Sequence, residues 1–354
     1  MGVDPIGRSS NGEISEPERQ LAMVFDLNKC LGCHTCSMAC KTQWTRDEGM
    51  ASMWWTVVNS MPGRGTPRDW ESSGGGFDES GTARPGQLPT REDFGEAWEF
   101  NHEEVFHGEG GPDSHLAPKG APKWGPNWDE DQGAGSFPNS YFFYLPRICN
   151  HCTHPACLEA CPRGSIKKRS QDGVVLIDED DCRGYRFCME ACPYKRIYFN
   201  HNQKQSQKCV LCYPRIEQGV APACFRQCPG RVRFLGFLDD EDSAVHKLVE
   251  RWKVALPLHP EYGTQPNIYY VPPLSPPMFD DNGDVIEGSE RIPRSYLESQ
   301  FGPDVNRVLD TLTSEMEKVR GGGESEMLDT LIAHQWKSMF GGFTKDPSTL
   351  KRPT

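Results

Sequence analysis

The sequence predicts an α+β fold of two compact cysteine-bound modules, broken by a long irregular insertion and followed by a helical, proline-rich C-terminal extension. Three observations carry this. Fifteen cysteines fall into four tight groups within 354 residues. Short apolar runs with strand character enter or leave these groups. The intervening and following stretches change composition abruptly, first to Gly, Pro, Trp and acidic residues, then to proline clusters and helical periodicity.

Residues 1–19 form a polar tail with neither an apolar stretch nor a twin arginine, so no export signal is visible. Gln20–Asp26 (QLAMVFD) leads into the first group, and Val232–Leu238 (VRFLGFL) leaves the fourth. Residues 20–60 with 203–238 are therefore expected to form one module from groups one and four. Residues 141–202 form the other from groups two and three: Tyr141–Leu145 enters it, and Ser165–Arg169 and Val174–Ile177 flank a turn at Asp172-Gly173. Arg196–Asn200 leaves it as a strand. Residues 61–140 are the insertion; Trp70, Trp98, Trp124 and Trp128 are costly to leave in water, so it is expected to fold over the clusters or, with its tryptophans buried, against partner subunits. In the extension, residues 239–354, an acidic run precedes a helix over Ala244–Val254. The proline-dense Leu256–Pro277 is expected to be an extended strap buried against a partner. Val305, Val308, Leu309, Leu312, Met316 and Val319 mark one stripe of a helix ending at Gly321, and a short helix follows over Ser325–Lys337.

The cysteine spacings carry the chemistry. Disulfide frameworks serve small secreted chains that cannot bury a core, and this chain is long enough to build one. Structural zinc is the competing reading for an isolated C-x2-C pair such as Cys209/Cys212. Cys30, Cys33, Cys36 and Cys40, however, follow C-x2-C-x2-C-x3-C, the bacterial ferredoxin run, with Lys41 where that pattern has proline. The cysteine-proline ending recurs at Cys161-Pro162, Cys192-Pro193 and Cys228-Pro229. Two ferredoxin-like modules are thus expected, and in such modules the last cysteine of each run ligates the other cluster. Crossing the ligands gives Cys30, Cys33, Cys36 and Cys228 for one 4Fe-4S cluster, and Cys40, Cys209, Cys212 and Cys224 for a second. Cys149, Cys152, Cys157 and Cys192 make a third. Cys161, Cys182 and Cys188 remain with Tyr185 where a fourth cysteine would stand. Three thiolates suit a 3Fe-4S cluster, with a Tyr185 phenolate as the other way to complete the site. No cysteine is left over. Such a set conducts single electrons.

Other function classes find no support. The net charge of -12 leaves no electrostatic footprint for nucleic acid, and no apolar run is long enough to span a membrane. No phosphate-binding loop, dinucleotide fingerprint, nucleophile elbow or HExxH motif occurs, so no catalytic residue is assigned. His34, His151 and His154 lie inside cysteine runs and are read as tuning sulfur hydrogen bonds or facing solvent; Lys167-Lys168-Arg169 and Lys195-Arg196 are read as hairpin surface charge.

The four motifs in series, the third reading C-x2-Y-x2-C-x3-CP, resemble the four-cluster beta subunit of molybdenum oxidoreductases of the dimethyl sulfoxide reductase superfamily, from about Arg19 to Pro277. The long insertion, Tyr185 and the segment from His259 to Asn267 resemble the branch holding nitrate, selenate and chlorate reductases, dimethyl sulfide dehydrogenase and ethylbenzene and steroid dehydrogenases. Arg19–Lys41 and Gly63–Trp70 look most like the hydrocarbon and steroid hydroxylating members. The resemblance implies an alpha subunit with a molybdenum bis-pterin site and a gamma subunit with haem b. Electrons would run from the Cys30 cluster past those of Cys40 and Cys149 to that of Cys161. It also implies a periplasmic location reached with a signal-bearing alpha subunit, the alternative being cytoplasmic.

Overall fold

The apolar run ahead of the first cysteine group becomes strand β1 (Leu21–Asp26), buried along its whole length. In the computed structural model, residues 16–95 and 133–350 are described, with positions 101, 104, 105, 107, 108, 115, 117 and 119 between them. After β1 come helix α1 (Thr35–Trp44), β2 (Val57–Met61), β3 (Phe143–Arg147) and the single-turn α2 (Ala156–Glu159). Then follow β4 (Ile166–Lys168), β5 (Val175–Ile177), α3 (Phe187–Ala191), β6 (Ile197–Asn200) and β7 (Gln205–Lys208). The turns α4 (Tyr213–Ile216) and α5 (Ala223–Arg226) lead to β8 (Arg233–Phe237) and α6 (Ala244–His246). The remainder holds β9 (Leu256–Pro257), β10 (Ile268–Val271), β11 (Met278–Phe279), β12 (Val285–Ile286), α7 (Arg294–Phe301), α8 (Val305–Arg320) and α9 (Glu326–Ile332).

A four-stranded sheet in the order β8-β1-β10-β9 anchors the molecule. β1 runs antiparallel to β8, with Phe25 opposite Arg233, and parallel to β10, with Phe25 opposite Tyr270. The ends of groups one and four are thereby brought side by side, and α1 packs on α5. Groups two and three meet in the same way through α2 and α3. The β4/β5 and β6/β7 hairpins flank them. Asp172 caps the β4/β5 turn by accepting the Val174 N–H at 3.0 Å, and Gly173 takes φ 72°, where a Cβ is strained.

The strap departs from expectation. Rather than lying on a partner, Leu256–Pro277 supplies β9 and β10, and Leu258, Ile268, Tyr270 and Val271 are all within 1 % of full burial. A parallel strand has both faces covered, and each of these side chains gains about 1.5–3 kcal/mol by leaving water. Apart from Pro257 on the edge strand β9, the prolines of the strap lie outside its strands, where a missing N–H breaks no ladder.

The insertion also turns inward where it is described. β2 pairs with β3, so its two ends close as an antiparallel ladder. Trp70 is fully buried under the Arg147 guanidinium, 3.4 Å from its ring centroid. Trp98, Trp124 and Trp128 lie outside the described residues. In the extension, Ser243 caps α6 by accepting the His246 N–H, but the helix passes at once into a wider π turn over Lys247–Arg251 and stops short of Val254. On α8 the stripe is buried at Val305, Val308, Leu309 and Leu312, while Met316 is half-buried and Val319 exposed, because the last turns run past the body of the molecule.

Candidate metal centres

The first ligand loop of each group closes through a left-handed residue. The third position of the first C-x2-C or C-x2-Y loop in each group has positive φ: Gly32 at 64°, His151 at 42°, Gly184 at 70° and Leu211 at 52°. At Gly32 a Cβ would also meet the Tyr144 ring at 2.5 Å. Such turns direct successive backbone N–H groups to one side and form concavities for anions, including sulfur clusters. The Leu211 N–H donates to Cys209 Sγ, and the Ser206 N–H to Cys182 Sγ, both at 3.4 Å. Group three keeps this loop although Tyr185 replaces a cysteine.

The fifteen cysteines form no disulfide. Cys30, Cys33, Cys36 and Cys228 line one small cavity together with Arg233. Cys40, Cys209, Cys212 and Cys224 line a second with Trp44 and Trp55. Cys161, Cys182 and Cys188 line a third, with Tyr185 at its rim. Cys149, Cys152, Cys157 and Cys192 come close enough that charge on one would repel charge on the others. The gatherings also follow one another within electrostatic reach: Cys36 of Cys224, Cys209 of Cys149, and Cys188 of Cys192.

Burial pushes the Cys30, Cys188 and Cys212 thiols up to about 12, and raises Cys36, Cys40, Cys152, Cys157, Cys192 and Cys209 as well. Cys161 goes the other way: it is partly buried, but the Ser165 hydroxyl at 3.2 Å and nearby backbone N–H groups leave its thiol below the usual range. Convergent, buried sulfurs that the protein alone keeps protonated are a donor set that needs a bound cation to become thiolate. Soft sulfur donors around apolar cavities fit iron-sulfur clusters.

Several neighbours differ from the sequence reading. Lys167 is surface charge, paired with Asp178 at 2.9 Å, but Lys168, Lys195 and Arg196 are buried and bond to carbonyls. A periodicity too short to distinguish faces hid this. His151 is buried, with Nδ1 accepting the Val175 N–H at 3.1 Å, and desolvation with nearby Lys208 holds its imidazole well below its ordinary value. His154 stacks on Phe77 at 4.0 Å. Arg233 and Trp44 were not singled out from sequence, since each reaches its sulfur neighbours only through the folded chain.

Among the described residues no helix is long and apolar enough to cross a membrane. A family model described as a 4Fe-4S dicluster domain matches residues 140–238. The chain is 54 % identical over 323 residues to the dimethylsulfide dehydrogenase beta subunit of Rhodovulum sulfidophilum, covering 91 % of this chain and 98 % of that protein. It is 57 % identical over 322 residues to a respiratory nitrate reductase beta subunit of Haloferax mediterranei, covering 89 % and 91 %. The selenate reductase beta subunit of Thauera selenatis is 52 % identical over 327 residues, covering 92 % and 99 %. These relatives favour the nitrate, selenate, chlorate and dimethyl sulfide group over the hydrocarbon and steroid hydroxylating members. The chain belongs to the beta subunits of dimethyl sulfoxide reductase-family molybdoenzymes, the iron-sulfur electron-transfer subunits of multi-subunit oxidoreductases.

Proposed function

We propose that the chain conducts single electrons through four sites, three holding 4Fe-4S clusters and one a 3Fe-4S cluster, between a molybdenum-containing alpha subunit and a haem b gamma subunit. The bound clusters supply the one-electron carriers. Cys30, Cys33, Cys36 and Cys228 hold the first; Cys40, Cys209, Cys212 and Cys224 the second; Cys149, Cys152, Cys157 and Cys192 the third. Cys161, Cys182 and Cys188 hold the three-iron cluster.

The observation that carries this reading is that the four gatherings lie in series within electrostatic reach of one another, through Cys36 and Cys224, Cys209 and Cys149, and Cys192 and Cys188. The ends of this series reach the surface. Leu31 and Met38 are 66 % and 52 % exposed beside the first site, and Tyr185 and Phe187 are 57 % and 48 % exposed beside the last. Apolar side chains exposed at both ends of an electron path suit docking of partner subunits. The substrate class expected for the partner is that of the dimethyl sulfide dehydrogenase and the nitrate, selenate and chlorate reductases. Their mixture of dehydrogenase and reductases leaves direction to the alpha subunit.

Metal analysis of the purified complex should return about fifteen iron atoms per beta subunit. An oxidised sample should give the electron paramagnetic resonance signal of a three-iron cluster. Zinc in place of iron would make the chain a structural scaffold and end the proposal. Fractionation of cells expressing alpha and beta together tests the expected periplasmic location.

A further inference from the structure

Three arginines are buried to within 1 % of full coverage, and two of them are supplied with acceptors. Arg147 donates to Asn59 Oδ1 at 3.0 Å and to the Thr66 and Tyr194 carbonyls; Arg196 donates to the Thr66 and Trp54 carbonyls. Arg233 differs. Its Nη1 and Nη2 are buried and meet no hydrogen-bond acceptor, and no ion pair to a carboxylate is present among the described residues. The guanidinium lies over Phe25 at 4.6 Å and Phe225 at 5.7 Å, which confine it, and it lines the cavity of Cys30, Cys33, Cys36 and Cys228. It also comes within electrostatic reach of Cys224 of the second site, and a guanidinium keeps its charge in proteins whatever its surroundings. Ring faces alone do not compensate a buried charge with two idle donors; sulfur-bound negative charge does.

We propose that Arg233 is a positioning residue for electron transfer. Its fixed positive charge and Nη donors line the first site and raise the reduction potential of the cluster held by Cys30, Cys33, Cys36 and Cys228. The cluster at Cys40, Cys209, Cys212 and Cys224 is raised less. Reduction at the first site adds one electron from the neighbouring carrier, which is oxidised by one; no bond forms or breaks and no proton moves. The added negative charge lies beside a cation that stays protonated. This inference rests on the iron-sulfur assignment proposed above.

The test is a redox titration of the assembled complex followed by electron paramagnetic resonance, with dithionite as reductant. In Arg233→Met the first couple should move negative by at least about 59 mV, a tenfold change in a one-electron equilibrium. The three-iron signal at the far end should not move, and Arg233→Lys should restore more than half of the shift. If Arg233→Met takes up no iron, Arg233→Gln replaces it with the same expected sign. Loss of iron in both neutral variants but not in Arg233→Lys would support the charge as a requirement for assembly. A fully loaded neutral variant with unchanged potentials, an equal shift at the three-iron site, failure of a loaded Arg233→Lys to restore the potential, or loss of iron in Arg233→Lys would each overturn the inference. Absence of iron from the wild-type complex would instead strike the proposed function.

Discussion

The indole Nε1 of Trp44 donates to the Sγ of Cys212 across 3.0 Å, tying the last residue of α1 to a cysteine that follows 168 positions later. The contact exists because α1 packs on α5 and so carries the end of group one into group four. A hydrogen bond to sulfur stabilises its more negative state. Trp44→Phe should retain iron and make reduction at the second site less favourable by about 1 kcal/mol. A redox titration of the complex checks it; an unchanged potential would show that the indole only fills space.

Tyr185 occupies the fourth position of a loop whose Gly184 has φ 70°, close to the 64° of Gly32 in the first group. The backbone is already that of a cysteine loop, so Tyr185→Cys should need little rearrangement. We expect the oxidised three-iron signal to disappear and iron to rise by about one atom per chain. Persistence of the signal in a fully loaded variant would mean that the introduced sulfur does not reach the site.

Tyr270 is 1 % exposed, and its hydroxyl donates to the Pro146 carbonyl at 3.1 Å, linking the central sheet to β3. Tyr270→Ala should cost about 3–5 kcal/mol, as other aromatic truncations in cores do. Deleting 269–277 should empty the first and second sites of iron rather than merely weaken partner binding. Thermal denaturation with iron analysis separates the two; a truncated chain that kept its iron and lost only its partner would place the strap back on an interface.

His259 joins three parts of the chain. Nε2 meets Glu71 of the insertion at 3.0 Å, Nδ1 meets Glu261 at 2.7 Å, and Gln300 of α7 donates to the same Glu71 oxygen at 2.7 Å. Burial opposes the imidazolium, but its bonds to Glu261 and Glu71 prevail and raise its pKa, while both carboxyls are held below their usual range despite burial. The raised value means that this stabilisation is full below about 6.5, the unfolded imidazole value, and is lost as pH climbs through the folded one. The carboxylates require pH above about 4.5 for the same contacts. His259→Gln should therefore lose about 1–3 kcal/mol near pH 5.5 and progressively less at pH 8 and above. Melting curves of both proteins across this range test it, and a difference that grows with pH would refute it.

Cysteine spacing carries the chemistry of this protein. The four groups and the placing of Tyr185 where a fourth cysteine would stand are local, because a ligand loop is three or four residues long and its geometry is written in Cys, Gly and Pro. The runs that became β1, β8 and the β4/β5 hairpin were legible for the same reason: alternation and turn residues act over short distances. What only the tertiary structure decided are the pairings across hundreds of residues. Leu256–Pro277 reads as a proline-rich strap, yet its four-residue β10 becomes a central strand, because β1 offers a parallel edge whose apolar faces must be covered. Lys168, Lys195 and Arg196 read as surface charge, and are buried because carbonyls from distant loops converge on them. Arg233 stands in an apolar strand where nothing in the neighbouring residues explains a charge. Only the fold brings Cys30, Cys36, Cys224 and Cys228 around it, and burial then makes that placement count, since a charge removed from water must answer to whatever charge lies nearest.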